Sequence, residues 1–256
     1  MDDLLLLSEA QMRRIEPYFP LSHGVPRVDD RRVLSGILFV IRNGLRWRDV
    51  PAAYGPPKTI YNRFIRWSRL GVFNRIFAEL AAESDSSDRL MIDATHLKAH
   101  RTAASLLKKG LLPRSIGRSR GRLTSKLHAV CDGSGRPLRL ALSEGQASDF
   151  KGASLVLEAL PAAKAMLADR GYDADWLRAG FAACIPSKIN RKMQIPHDRA
   201  LYRQRHRIEN MFARLKDWRR IHTRYDRCAH TFLSAIAFAA AFIFWLKQCV
   251  LSLRRT

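Results

Sequence analysis

Tyr202, Arg205, Glu209 and Lys216 are spaced so that a helix would gather them onto one stripe. At about 100° per residue they fall within roughly 60° of one another. The stretch Arg199 to Trp218 holds no Gly or Pro, Asp198 can cap it, and Ile208, Met211, Phe212 and Leu215 supply an adjoining apolar face. A carboxylate set among a guanidinium, an ammonium and a phenol could bind a metal ion while its neighbours hold a negatively charged substrate. Phosphodiester chemistry needs that arrangement. A solvated basic face, with Glu209 in an ordinary i,i+4 pair to Arg205, would use the same residues, so other features must decide.

Metal-assisted phosphoryl transfer needs hard oxygen ligands, commonly around two Mg²⁺ about 4 Å apart. Asp93 closes the apolar run Leu90-Met91-Ile92, and Asp169 closes Ala165-Met166-Leu167-Ala168 just before Arg170-Gly171-Tyr172. Acids at the C-terminal edge of a sheet are where α/β proteins place ligands. Either acid alone could be a helix cap or a loop residue; together with Glu209 they make a candidate set of three. Asp173 and Asp175 compete with Asp169, but Asp173 is well placed to cap the following helix, which favours Asp169. His96 and His100 have a spacing that could bind zinc, yet no third ligand accompanies them.

Charge supplies the partner. The chain has 256 residues, 45 Lys+Arg against 23 Asp+Glu, a net charge of +22 and a pI near 10.8. Such a chain repels itself unless it spends time on a polyanion, and nucleic acid is the obvious one. Cys131, Cys184, Cys228 and Cys249 are scattered with no Cys-x-x-Cys pair, which points to reduced core thiols in a cytosolic protein rather than to a zinc ribbon or a disulfide framework. The start Met1-Asp2-Asp3 lacks the basic opening of a signal peptide, and the apolar run Phe232 to Leu246 reads as a buried C-terminal helix rather than a membrane span.

These residues need elements to hold them. Helices are expected over Glu9 to Tyr18 behind a Ser8 cap, and over Asp30 to Asn43 with Val33, Ile37, Val40 and Ile41 inward. Thr59 to Arg69 turns Ile60, Phe64 and Trp67 to one side and Thr59, Asn62, Arg63 and Arg66 to the other, a split that suits a DNA-recognition helix. The small polar stretch Glu83 to Asp88 marks a boundary. Beyond it the pattern becomes mixed α/β: strands at Leu90 to Thr95, Lys126 to Cys131 and Leu138 to Leu142, a helix from Phe150 to Leu160, a buried strand Ala165 to Ala168, a helix Ala174 to Phe181 and a strand Ala183 to Pro186. Between the first two strands, Lys98 to Lys126 carries basic residues, Arg118, Arg120 and Arg122 among them, and no acid; it is expected to be a mobile, DNA-touching loop. The resulting division is a helical, helix-turn-helix-like DNA-binding domain at 1–82, a linker at 83–89 and a catalytic domain with a C-terminal helix at 90–256.

The chain resembles the DDE transposases of bacterial insertion sequences, in the insertion-sequence-5 branch of the insertion-sequence-4 superfamily. Trp47-Arg48-Asp49-Val50-Pro51, Tyr54-Gly55-Pro56, Ile92-Asp93-Ala94-Thr95, Gly145-Gln146-Ala147-Ser148-Asp149 and Ala168-Asp169-Arg170-Gly171-Tyr172-Asp173 carry the resemblance. The Tyr-x2-Arg-x3-Glu-x6-Lys signature is met in full by Tyr202, Arg205, Glu209 and Lys216. The resemblance implies a ribonuclease H-like catalytic domain in which Asp93, Asp169 and Glu209 bind two Mg²⁺ or Mn²⁺ ions. It further implies that Lys216 touches DNA near the cleaved end, and that Tyr202 and Arg205 position strand or carboxylate. The expected partners are double-stranded DNA, as terminal inverted repeats and as target, and further copies of the chain in a dimer or larger assembly, with no membrane. The basic loop departs from the family, since Gly121 is followed by Arg122 rather than by a second glycine. The span from Asp169 to Glu209 also leaves no room for an inserted β-domain.

Two rivals stand beside a transposase. A non-catalytic repeat-binding protein, or a decayed transposase acting as a regulator, would use the charge and the Thr59 to Arg69 helix but has no use for the acids. A stand-alone nuclease would use the acids and never join ends.

Overall fold

The computed structural model describes residues 4–20, 29–83, 88–105, 113–157, 160 and 163–246. Residues 84–87 of the expected linker, 106–112 of the basic loop and Cys249 lie outside them. By packing, the chain forms two compact units, one from Met1–Leu80, His100–Pro113 and Leu215–Thr256, the other from Ala81–Ala99 and Arg114–Arg214.

The first unit is helical. Ser8 opens α1 (Glu9–Ile15) with a capping box, its hydroxyl accepting from the Gln11 N–H while the Gln11 side chain accepts from the Ser8 N–H. Asp29 caps α2 (Asp30–Asn43), and Gly44, at φ 70°, stops it in the left-handed conformation that suits glycine. Val33, Ile37, Val40 and Ile41 are all buried, as their period demands. Pro57 begins α3 (Pro57–Arg69), where a missing N–H costs nothing, and Gly71 separates it from α4 (Val72–Ala82).

The hydrophobic centre of this unit is aromatic. Phe64 lies between Trp47 at 4.8 Å and Phe73 at 5.8 Å, and Phe73 reaches Phe238 at 4.7 Å. Phe238 belongs to a C-terminal helix that sequence order alone groups with the catalytic segment; it packs against α2 and α3 instead. With the π-helical end Ala241–Leu246 it spans Ala229–Leu246, 18 residues, longer than the apolar run suggests and apolar enough to cross a membrane, but 83% of it is buried inside the protein. It is a core helix.

The second unit is mixed α/β. Its strands are β1 (Arg89–Ala99), β2 (Gly117–Ser119), β3 (Arg122–Asp132), β4 (Pro137–Glu144), β5 (Ala165–Leu167) and β6 (Ala183–Cys184). They hydrogen-bond in the order β2-β3-β1-β5-β6, with β4 also on β3. The β1-β3, β2-β3 and β3-β4 pairs are antiparallel, whereas β1-β5 and β5-β6 are parallel. A short helix, α5 (Arg101–Ala104), follows β1 in sequence but belongs to the first unit. Helix α6 (Asp149–Val156) lies over β3 and β4, and α7 (Asp175–Gly180) links β5 to β6.

The ends of the expected basic loop are ordered structure: β1 runs on to Ala99, and β2 and β3 form a hairpin whose turn is Arg120-Gly121, with φ of 48° and 75°. Left-handed backbone at both central positions matches the twist of a two-residue hairpin. One glycine therefore suffices at this turn, at the cost of placing Arg120 where side chains rarely sit.

The helix expected from Arg199 to Trp218 forms as far as Lys216 but tightens midway. It comprises α8 (Arg199–Tyr202), a tighter 3-10 turn at Arg203–Arg205, and α9 (His206–Lys216), before α10 (Arg219–His222) begins behind Trp218. Asp198 does cap it, its carboxylate accepting from the Ala200 and Leu201 N–H groups at 2.8 and 3.0 Å. The tighter winding carries Arg205 further round the axis than a continuous helix would.

Candidate active site

Asp93 does not end its strand, as the apolar run implies, but sits within the eleven-residue β1. What ends there is the neighbour. The parallel pairing of β1 with β5 runs Arg89 to Ala165, Leu90 to Met166 and Met91 to Leu167, and then β5 stops. Asp169 follows two residues later, near enough to Asp93 for its charge to act on that carboxyl. Asp169 then accepts from the Gly171 N–H at 2.7 Å, which fixes its carboxylate at the start of a 3-10 turn.

Glu209 joins from the first turn of α9 through Arg205. One guanidinium donates to Asp93 Oδ2 at 2.8 Å and lies 3.0 Å from Glu209 Oε1, spanning the two carboxylates. Tyr202 also favours the charged form of Arg205. Burial works against the charge of Arg205, but Asp93, Tyr202 and Glu209 outweigh it and hold the group firmly protonated. For Asp93 the balance goes the other way. Burial pushes its carboxyl up to about 6, against Arg205 and the Ala94 N–H, and the charges of Asp169 and Glu209 add to the rise.

Carboxylate oxygens are the donors hard divalent cations prefer, and Asp169 and Glu209, from two other segments, lie near enough to Asp93 for their charges to act on it. Among the described residues no three His, Cys, Asp or Glu side chains are gathered closely enough to hold an ion as they stand. Arg205 occupies the space between two of them.

The other expected positions fall as follows. Lys216 ends α9, half-buried. Asn62 and Arg66 are exposed on α3 and Thr59 is half-buried, while Arg63 is turned inward to an ion pair with Asp30 and lies 5.7 Å from the centre of the Trp67 ring. Arg118, Arg120 and Arg122 are exposed on the β2-β3 hairpin.

Asp173 does not cap α7, whose preceding residue is Ala174. It is buried instead, paired with Arg178 at 2.7 Å and Arg191 at 3.0 Å and accepting from the Lys188 N–H at 2.8 Å. Although burial opposes its charge, these contacts hold its carboxyl below the usual range, and it latches α7 to the loop after β6. His96 bonds the Gly145 carbonyl at 2.9 Å and His100 caps α5, so both have structural partners.

Spacing alone does not single out Lys126, Asp149 or Tyr172. Lys126 lies 2.6 Å from Asp149 and donates to the Ala147 carbonyl at 3.0 Å, pinning the Gly145-Asp149 turn to β3. A Cβ placed on Gly171 would lie 2.9 Å from Asp169 Oδ1 and 3.2 Å from Asp149 Oδ2, so the fourth acid stands just across Gly171 from the second. The Tyr172 ring is 2% exposed, and its hydroxyl has no hydrogen-bond partner among the described residues. Burial, then the charges of Asp149, Asp93 and Asp169, push that phenol well above its usual range. The one hint in the sequence is Ser148, a capping residue placed before α6, which brings the next residue, Asp149, into the first helical turn.

A strongly basic chain with a mixed sheet and acids at one of its edges is a nucleic-acid enzyme in outline, and comparison with known proteins makes the class specific. Residues 85–244 match the family described as "Transposase DDE domain", and residues 7–77 match "Putative transposase of IS4/5 family". The "Putative transposase for insertion sequence element IS6501" of Brucella ovis is 38% identical over 131 residues, which cover 49% of this chain and all of that protein. The "Uncharacterized protein y4sN" of Sinorhizobium fredii is 36% identical over 43% of this chain and 90% of its own length. The "Insertion element IS402 uncharacterized 16.2 kDa protein" of Burkholderia cepacia is 33% identical over 38% of this chain and 71% of its own length. The chain belongs to the DDE transposases of insertion sequences.

Proposed function

We propose that this protein binds the terminal inverted repeats of its own insertion sequence and catalyses divalent-metal-dependent strand cleavage followed by strand transfer. The observation that carries this is the Arg205 bridge from Asp93 to Glu209, with Asp169 just past the end of the neighbouring strand and close enough for its charge to act on Asp93. The strand order, with an antiparallel β3 on one side of β1 and parallel β5 and β6 on the other, supports a ribonuclease H-like reading of the second unit. The exposed side of α3 supports a helical DNA-binding reading of the N-terminal region.

The donor chemistry of the three acids fits two Mg²⁺ or Mn²⁺ ions. When bound, such ions acidify an attacking water and stabilise a leaving 3′-oxygen. The chain's own residues set the stage: Asp93 and Asp169 present oxygens from fixed backbone, and Glu209 arrives on a helix. Arg205 holds Asp93 and Glu209 at a set separation and keeps their mutual repulsion in check. In the first reaction water attacks the phosphodiester at the element's end; in the second the freed 3′-hydroxyl attacks target DNA, with no covalent protein intermediate. Acting on chromosomal DNA as a dimer or larger assembly would place the protein with the bacterial nucleoid in the cytoplasm.

A strand-transfer assay with duplexes taken from the borders of the encoding element, plus target plasmid, tests this. Cutting and joining together support it. Binding without cutting would point to the regulator, and cutting without joining to a nuclease.

A further inference from the structure

Outside the acidic edge, the first unit holds a cavity of about 510 Å³ lined by Trp47, Tyr61, Arg69, Arg220, Tyr225 and Arg227 among others. That volume is typical of small-ligand pockets, which are usually mostly apolar with a few placed polar groups. This one is planar and cationic. Arg220, only 6% exposed, is clamped by the Leu45 carbonyl at 3.0 Å and by Asp226 at 3.2 Å. Its guanidinium carbon lies 5.1 Å from the Trp47 ring centre and 5.7 Å from that of Tyr225, so one cation is layered against two aromatic rings. Tyr61 and Tyr225 remain 41% and 39% exposed and supply ring surface at the wall.

Three side chains that line the cavity carry buried polar atoms in want of a partner. Trp47 Nε1, Arg220 Nε and Asp226 Oδ2 are buried without hydrogen-bond partners among the described residues, giving two donors and one acceptor on lining side chains. Arg69 and Arg227 are exposed cations on the same lining. A cationic ligand is disfavoured there, and a purely apolar one would waste the arginines. An aromatic ring carrying phosphate satisfies both halves.

Position narrows the source. Tyr61, Ile65 and Arg69 follow each other at intervals of four along α3, and Arg69 adjoins the stripe that holds Asn62 and Arg66. A strand tracking the exposed side of α3 therefore runs past the mouth of the cavity.

We propose that the cavity takes an unpaired nucleobase of the DNA strand lying along α3, stacked on Tyr61 or Tyr225, with the adjoining phosphates on Arg69 and Arg227. The assignment rests on the DNA-binding reading above and adds to it a site for a base outside the duplex. Swinging out a base costs stacking and pairing energy, which is least where the base is already unpaired. Ring stacking in the cavity returns part of it.

The test uses the full-length protein and two short duplexes from the element's border, one fully paired and one carrying a single extrahelical 2-aminopurine, read by anisotropy and by 2-aminopurine fluorescence. Wild type is expected to favour the unpaired duplex by about tenfold and to quench its fluorescence. Tyr61→Ala combined with Tyr225→Ala should bind the paired duplex as wild type does and lose both the preference and the quenching. The corresponding double Phe variant, which keeps the rings and guards against a folding defect, should retain both.

Equal affinities in wild type, or a preference that survives the double Ala variant, would overturn the proposal. So would displacement of the quenched signal by micromolar dAMP, which would assign the cavity to free nucleotides. Failure of wild type to bind either duplex would instead remove the DNA-binding reading beneath it.

Discussion

Asp93 sits within β1 and Asp169 two residues past the end of β5, each two positions beyond the Met91–Leu167 pair that closes the β1-β5 ladder, and the charge of Asp169 adds to the rise of the Asp93 carboxyl. Strand backbone fixes Asp93, while the turn after β5, closed by the Gly171 N–H on the Asp169 carboxylate at 2.7 Å, fixes its neighbour.

Asp93→Asn should therefore abolish metal-dependent cleavage while leaving DNA-end binding intact. Loss of groups that merely orient a metal ligand costs about 10- to 100-fold, and loss of a ligand should cost at least the upper end of that range. Cleavage and gel-shift assays on the same preparation check it; normal nicking by the variant would remove Asp93 from the site.

The same residue makes a prediction about pH. Burial lifts the folded-state carboxyl of Asp93 to about 6, against about 3.9 in an unfolded chain. The stability this contributes is complete below the unfolded value and is lost as pH rises through the folded one. Asp93→Asn cannot titrate, so between pH 4 and pH 8 its stability should improve relative to wild type by on the order of 2 kcal/mol. Denaturant melts of both proteins at the two pH values measure this, and a constant difference between them would contradict it.

Arg205 links Asp93 to Glu209 with the two arms of one guanidinium, at 2.8 and 3.0 Å. A lysine keeps the charge but loses the planar fork. Arg205→Lys should cut about 10- to 100-fold more slowly, the range seen when ligand-orienting partners are lost. Arg205→Ala should bind Mn²⁺ more tightly than wild type, because a competing cation has left the carboxylates, and yet cleave poorly. Mn²⁺ titration by electron paramagnetic resonance separates these effects, and unchanged affinity in the Ala variant would show that the guanidinium does not compete.

How far the sequence reveals this site depends on the range of the interaction concerned. Local period exposes the buried face of α2, and the apolar runs ending at Asp93 and Asp169 mark strands even though the first strand extends well past its acid. The tighter turn at Arg203–Arg205 has no Gly or Pro to signal it; it accompanies the Arg205 bridge between Asp93 and Glu209, a contact that exists only in the fold. Asp173 looked like a cap because its partner Arg191 lies 18 residues away. The Lys126–Asp149 pair was equally invisible, since it forms only once the Gly145 turn docks against β3. The packing of the C-terminal helix onto α2 and α3 likewise follows from long-range aromatic contacts such as Phe73–Phe238.

Gly171 tests whether Asp149 and Asp169 must share one narrow space. An alanine Cβ would enter 2.9 Å from one carboxylate oxygen and 3.2 Å from the other, so at least one acid must turn away. Gly171→Ala should lower cleavage by about tenfold or more, given the steep cost of small misplacements of reacting groups, while the protein still folds. Unchanged turnover would mean that neither acid needs its present position.

Gly152 offers a test of stability rather than chemistry. Its place on α6 faces the buried His128, whose ring is held by the Ser143 hydroxyl at 2.7 Å and kept neutral by burial and by Lys126, its pKa lowered to about 4. A Cβ on Gly152 would fall 1.9 Å from ring atoms of His128, closer than any contact can be. Because the ring is fully buried, it cannot yield without breaking its bond to Ser143, so α6 must lift instead. Gly152→Ala should therefore destabilise the protein by about 1–3 kcal/mol, the usual cost of overpacking a filled core. The lifting of α6 would also draw Asp149 away from Lys126, so the melting temperature and cleavage should fall together. In the double variant Gly152→Ala, His128→Ala the clash is gone, and recovery of cleavage there, with stability still reduced by the lost ring, would show that α6 acts on the site through its seating on β3.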